Sequence, residues 1–367
     1  MPTRRDFIYR LAASGVLASQ TLSLTTPMAR GKVLPRSDSA QGIKVDMLCY
    51  ESNLTSQMID NVIRAGLTAV VFDLALWPRE YAGAVRELAL WAERFGQWGD
   101  KVLSVRQASD FKRAEQEHKL GIVLACQDAT ILGAASSFEA PLHMFHALGL
   151  RVLQLTHNQR TQWGDSFMEK KDGGLSRAGE QLVSAMNRLG MIIDLSHCSP
   201  QTLFDAVQVS KQPCAVTHAG CKALAPTARN KSDDEIKALG RAGGLFGVYN
   251  MTTWLTTDPT ASLKTVIEHI DHAVQLIGPS QVGFGSDGAL DQLNAVGEAT
   301  RMGNVQKANN GGPSAEWPVR HIRVPELNAP GRLTALAEGL SRRGYSDTDI
   351  DGIIGGNFVR LFQRVCG

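Results

Sequence analysis

The chain has 367 residues, 43% hydrophobic and 20% charged, with 38 Lys+Arg against 36 Asp+Glu. This is globular composition, and it excludes a disordered or fibrous protein. A formal net charge of +2 provides no basic field for nucleic acid.

Residues 1–31 stand apart. They open on Thr3-Arg4-Arg5-Asp6-Phe7 and run into a weakly apolar stretch, 11–24, rich in Ala, Ser and Gly. That stretch is too short and too polar for a stable membrane span. A basic start with a small-residue middle reads as an export signal, and the paired arginines before Phe7 suggest the twin-arginine route. No clean A-x-A site is present, and cleavage near Ala29 is the expectation. The reading is then a periplasmic or otherwise exported protein, with 1–31 as signal and 32–367 as one domain.

Short apolar strands are expected at 43–50, 69–74, 121–126, 151–156, 191–196, 214–217, 244–250 and 281–286. Helical patterns lie between them. In 176–190 the apolar residues Leu182, Val183, Met186 and Leu189 recur at helical spacing, with Ser176 as start and Gly190 as stop. Residues 262–278 read as another amphipathic helix, ending on Gly278. Eight strands alternating with helices give an α/β protein with a parallel sheet. A doubly wound sheet has the same local pattern, but no G-x-G-x-x-G follows the first strand. Strands here end on Gln127, His157, His197, His218 and Asp287, and a TIM-type (β/α)8 barrel collects all such ends at one mouth.

The chain has nine histidines. His143, His146, His269 and His272 lie in helical patterns and read as surface or packing residues. His118 and His321 read as exposed. His157, His197 and His218 differ, because each ends a strand, in LQLTH, IIDLSH and CAVTH. Neutral imidazole is the commonest metal ligand, and two on adjacent strands can share one zinc. The alternative is three structural histidines hydrogen-bonded at the rim. In GFGSDG (283–288), Asp287 follows a glycine-rich strand end, where its carboxylate can bind metal or serve as a base. The six cysteines, Cys49, Cys126, Cys198, Cys214, Cys221 and Cys366, match no zinc-finger or C-x-x-C spacing. They read as buried free thiols, with one disulfide open in an oxidising compartment.

Five segments carry a family resemblance: LQLTHNQRTQWGDS (153–166), GLSRAGEQLVSAMNRLGMIIDLSH (174–197), CAVTHAGCKAL with ARNKSDDEI (214–224 and 228–236), HIDHAVQLIGPSQVGFGSDG (269–288) and GGNFVRLF (355–362). The chain resembles the membrane (renal) dipeptidase family of zinc peptidases across roughly 150–362, more weakly over 43–127. The resemblance implies a metal-dependent-hydrolase barrel that cleaves dipeptides by a metal-activated water. It implies His197 and His218 as ligands of one zinc, and His157 as the group steadying the tetrahedral intermediate. Arg229 then grips the substrate, and Asp287 assists proton transfer.

The same resemblance exposes a departure. The family's first strand supplies an H-x-D pair to the other zinc, where this chain has Leu48 and Tyr50. Its third strand supplies a bridging glutamate, where this chain has Gln127. The expectation is one zinc or none, held by His197 and His218, with Gln127 and Asp287 as further oxygen donors. Replacement ligands are conceivable in Asp73, in Glu51 or Asp128 after a local register shift, or in Cys49 and Cys126 after the opposite shift. Otherwise Leu48, Cys49, Tyr50, Cys126 and Gln127 fill the space of a lost metal. Two functions are compatible with this: a small-peptide or amide metallohydrolase with a reduced site, or a non-hydrolytic relative that binds or helps mature a periplasmic peptide metabolite such as a siderophore. Specificity is expected in the loop 299–325. No further segment is long enough to span a membrane, and a homodimer is compatible with the pattern.

Overall fold

The computed structural model describes residues 42–74, 80–256, 260–292 and 321–367. The expected export signal, 1–31, and residues 299–320 of the expected specificity loop lie outside the described residues. All described residues belong to one compact unit, Asp38–Gly367.

The strands are β1 (Val45–Tyr50), β2 (Ala69–Asp73), β3 (Val102–Ser104), β4 (Leu120–Cys126), β5 (Leu150–Gln154), β6 (Ile192–Asp194), β7 (Ala215–Ala219), β8 (Leu245–Val248), β9 (Val282–Phe284) and β10 (Gly288–Ala289). Each of the eight expected strands is observed. The unexpected β3 is a three-residue, half-buried piece that pairs only with β4, too short to show a pattern. Every pairing is parallel, and the ring runs β1, β2, β4, β5, β6, β7, β8, β9.

The last strand is split, and the split closes the ring. β9 pairs with β8, and β10 pairs with β1. Between them, Gly285 N–H donates to Val248 O at 3.1 Å and Asp287 N–H to Leu48 O at 2.9 Å. The fold is thus a TIM-type barrel of the metal-dependent hydrolase kind. The seam is held by Asp46, which pairs with Arg332 at 2.8 Å and accepts from Ser286 N–H at 2.8 Å.

Around the ring lie α1 (Ser56–Arg64), α2 (Tyr81–Gln97), α3 (Ser109–Gln116), α4 (Glu139–Ala147), α5 (Arg177–Leu189), α6 (Pro200–Val209), α7 (Asp233–Arg241), α8 (Thr252–Leu255), α9 (Leu263–Ile277), α10 (Arg332–Arg343), α11 (Asp347–Asp351) and α12 (Asn357–Cys366). The helix signals fall where expected. Ser176 caps α5 by accepting from Gly179 N–H, and Gly190 ends it at φ +69°. Ser262 and Thr265 form the reciprocal cap of α9. No described helix is long and apolar enough to cross a membrane.

Side-chain alternation sorts the strands into two layers. Val45, Met47, Val71, Val123, Ala125, Val152, Ile192 and Ala215 fill the barrel interior, with Phe358 and Phe362 of α12 joining them. Val70, Phe72, Leu124, Leu153, Ile193 and Val216 face outward to the helices. In β1 the register to β2 shifts between Asp46 and Cys49. Met47 and Leu48 therefore both enter the inner layer, while Cys49 joins the outer one.

This alternation turns Cys49 and Cys126 away from the interior, and local hydrogen bonds occupy Glu51 and Asp128. Cys49 and Cys126 both pack in the outer layer. Glu51 is used in a turn, accepting from Asn53 N–H at 3.2 Å, and Asp128 caps a short turn through Thr130 N–H at 2.9 Å. The disulfide left open also does not form: all six cysteines are free, five of them buried.

Candidate active site

The site grows from β5, β6 and β7, whose inward positions become polar as the strands reach the mouth. Gln154, Asp194 and Thr217 share the parity of the buried apolar residues Val152, Ile192 and Ala215. Asp194 is fully buried and organises the polar groups around it. Its Oδ1 accepts from Ser196 N–H at 3.0 Å and Thr217 N–H at 3.1 Å, and its Oδ2 accepts from the Thr217 hydroxyl at 2.6 Å. Burial raises its pKa, and the hydrogen bonds from Ser196 and Thr217 oppose the rise.

Because the Thr217 hydroxyl gives its proton to Asp194, it receives one from His218 Nδ1, 2.8 Å away. His197 Nδ1 lies 3.0 Å from Asn158 Oδ1, an acceptor, so it too carries the proton. The network thus assigns both Nε2 atoms as unprotonated. They face each other at 3.1 Å. Two lone pairs at that distance repel unless a cation lies between them, and orienting partners on the far nitrogens are the usual support of metal-binding histidines. Burial, then the charge of Arg229, depress the His218 pKa well below the usual imidazole value, which keeps the ring neutral. This donor pair fits one metal ion.

The donor set for a second ion is different. Leu48 is buried in the barrel interior. Gln127 is tied to Asp73, its N–H donating to Oδ1 at 3.1 Å and its side-chain amide to Oδ2 at 3.0 Å. Asp73 thus reaches the interior, as conceived, but its carboxylate is engaged by Gln127. Tyr50 Oη lies 3.3 Å from Arg323 Nη2. Among the described residues no group of three His, Cys, Asp or Glu could hold a metal ion. The residues present do not fit a dinuclear centre.

The remaining expected residues gather at the same mouth. The His157 ring stacks on His197, with centroids 4.3 Å apart. Arg229 is buried; it donates to Ser196 O and to His218 O, at 2.5 and 2.8 Å, and so clamps the ends of both histidine-bearing strands. Its guanidinium also lies over Phe167 and Tyr249, 5.7 and 5.4 Å from the ring centroids. Asp287 has φ +47°, a left-handed backbone that a non-glycine residue adopts at a cost of about 1 kcal/mol. That strain breaks the last strand and sets Asp287 at the rim.

Histidines outside the mouth do structural work. His269, in α9, is buried; its Nδ1 accepts from Cys221 N–H at 2.9 Å and its Nε2 donates to Leu255 O at 2.7 Å. His118 and His321 are exposed, as expected. Sequence reasoning missed Asn158, Thr217 and Arg323 as parts of the site. The first two adjoin the histidines in THN and VTH, where polar residues at inward parity were the available signal.

The fold and the facing histidines define a barrel hydrolase architecture with a metal-competent mouth. Residues 55–302 match the membrane dipeptidase family, peptidase family M19, and the chain belongs to that family. It is similar to dipeptidase aclJ of Aspergillus oryzae, at 34% identity over 228 residues, 61% of this chain and 47% of that protein. It is also similar to dipeptidase tcpJ of Claviceps purpurea, at 28% identity over 274 residues, 73% of this chain and 56% of that protein. The chain thus spans about half the length of these curated relatives. In fold it resembles an amidohydrolase from Pseudomonas aeruginosa, with TM-score 0.78, 24% identity, and coverage of 89% of this chain and 97% of that one.

Proposed function

We propose that the protein is a mononuclear metallohydrolase of the dipeptidase type, acting on a small peptide or related amide. The observation that carries this reading is the Nε2–Nε2 approach of His197 and His218 at 3.1 Å, with both rings oriented from behind. These two residues would hold one zinc ion, and Gln127, whose Oε1 has no partner, is the further oxygen donor. When bound, such an ion supplies Lewis acidity toward a peptide carbonyl. The chain's own residues supply the rest. Asp287 takes and returns the proton of the attacking water, and its strained backbone fixes the carboxylate at the rim. His157, stacked on His197, donates to the developing oxyanion. Arg229 fixes the strand ends that carry the histidines, and its charge grips the substrate. The relatives named as dipeptidases support the substrate class.

The engagement of Gln127 by Asp73, with Leu48 at the first strand, favours a second reading, a non-hydrolytic member that binds a small peptide metabolite. One assay separates the two. Purified protein is analysed for metal and assayed on a dipeptide library with added zinc. The hydrolase gives about one equivalent of zinc and turnover that His197→Ala abolishes; no turnover, or turnover indifferent to that substitution, removes it.

We also propose that residues 1–31 direct export to the periplasm by the twin-arginine route. A reporter fused behind these residues would reach the periplasm, and Arg4→Lys with Arg5→Lys would retain it in the cytoplasm.

A further inference from the structure

The mouth holds a second buried arginine to which none of the roles above is assigned. Arg323 precedes α10 and is 1% exposed. Its Nη2 donates to Asp287 O and lies 3.3 Å from Tyr50 Oη, while Nε and Nη1 have no partner. Its contacts with the Asp287 carbonyl and the Tyr50 hydroxyl set it at the same mouth. Gly288 borders it: a Cβ there would lie 3.6 Å from Nε, and glycine leaves that flank clear.

Arg332 is equally buried, but its guanidinium is consumed by Asp46 and by the carbonyls of Ala289, Leu290 and Asp291. Arg323 has no carboxylate partner among the described residues and leaves two donors unsatisfied. Each buried N–H without an acceptor is costly, and natural proteins keep few of them. Of the nine partnerless buried side-chain atoms among the described residues, five lie at the mouth: Gln127 Oε1, Gln154 Nε2, Arg229 Nε and the two of Arg323. Four of those five are N–H donors, so unpaired donors outnumber unpaired acceptors at the mouth.

We infer that Arg323, with Tyr50 beside it, forms an anion-binding subsite that receives the free carboxylate of the ligand. It occupies the side of the mouth where Leu48 and Tyr50 stand in place of metal ligands. A fixed guanidinium there serves a ligand anion, and the first strand no longer needs to neutralise a second metal ion. The inference rests on reading the mouth as a peptide site. It divides the two arginines: Arg229 belongs to the histidine-bearing strands, and Arg323 to the seam between β1 and β10.

Calorimetric titration of the full chain tests this, with a phosphinate dipeptide analogue as free acid and as C-terminal amide. In the wild type the acid binds about tenfold or more tighter than the amide, as expected for a charge-assisted hydrogen bond. Arg323→Gln reduces that ratio to near one, and Arg323→Lys, which keeps the buried charge, retains part of it. The lysine variant decides the matter if the glutamine variant does not fold. Equal binding of acid and amide by the wild type, no binding of either, or an unchanged ratio in both variants overturns the subsite. A preference that Arg323→Gln abolishes, in a protein without turnover, leaves the subsite standing and removes the hydrolase. Turnover with a ratio indifferent to Arg323 does the reverse.

Discussion

His197 and His218 turn unprotonated nitrogens toward each other because their other nitrogens are bound to Asn158 and Thr217. The orientation of His218 depends on a hydroxyl that cannot rotate away, since Asp194 holds its proton. Thr217→Val should therefore weaken zinc binding by roughly 10–100-fold, measured by competition with a chromogenic chelator; unchanged affinity would refute the assigned tautomer. His269 gives a prediction of the opposite kind. Burial lowers its pKa from 6.5 to about 4. Below pH 6.5 the unfolded chain takes up a proton that the folded state refuses. Stability is thus fully present above pH 6.5 and falls as pH drops toward about 4, by up to about 3 kcal/mol. His269→Gln should flatten that slope in urea titrations across the window. Of these residues, the strand-end histidines were legible in the sequence because a strand end is a local pattern. Arg323 was not, because its contact with Tyr50 joins positions 273 residues apart.

Among elements, the barrel interior shows how glycine sets strand spacing. A Cβ on Gly247 of β8 would meet Thr217 O at 2.1 Å, and one on Gly283 of β9 would meet the Met47 sulfur at 2.4 Å. The first obstacle is main chain and cannot yield, whereas the second is a flexible side chain. Gly247→Ala should cost several kcal/mol, and Gly283→Ala distinctly less. Met47→Ala should partly rescue Gly283→Ala and do nothing for Gly247→Ala, as judged by denaturant midpoints. Strand identity was legible from apolar runs because both faces of each barrel strand are buried. The β1 register shift was not, since it depends on which neighbour accepts which N–H. That shift decides that Leu48 enters the interior and Cys49 leaves it.

On the scale of the whole molecule, the proposed site rests on how charge is distributed around the mouth. The His197–His218 pair faces one half of the mouth, and Leu48, Tyr50 and a Gln127 held by Asp73 stand in the other, where the family resemblance would place the ligands of a second cation. Arg323, 3.3 Å from Tyr50, supplies a fixed positive charge there. Rebuilding the missing ligands alone should therefore fail. With Leu48→His, Tyr50→Asp and Gln127→Glu combined, the new carboxylate at position 50 would pair with Arg323, and a divalent cation beside a buried guanidinium would be repelled. Zinc content should stay near one equivalent in that triple variant and approach two only when Arg323→Gln is added, as read by elemental analysis after dialysis. A second equivalent in the triple variant alone would show that Arg323 does not exclude a second ion.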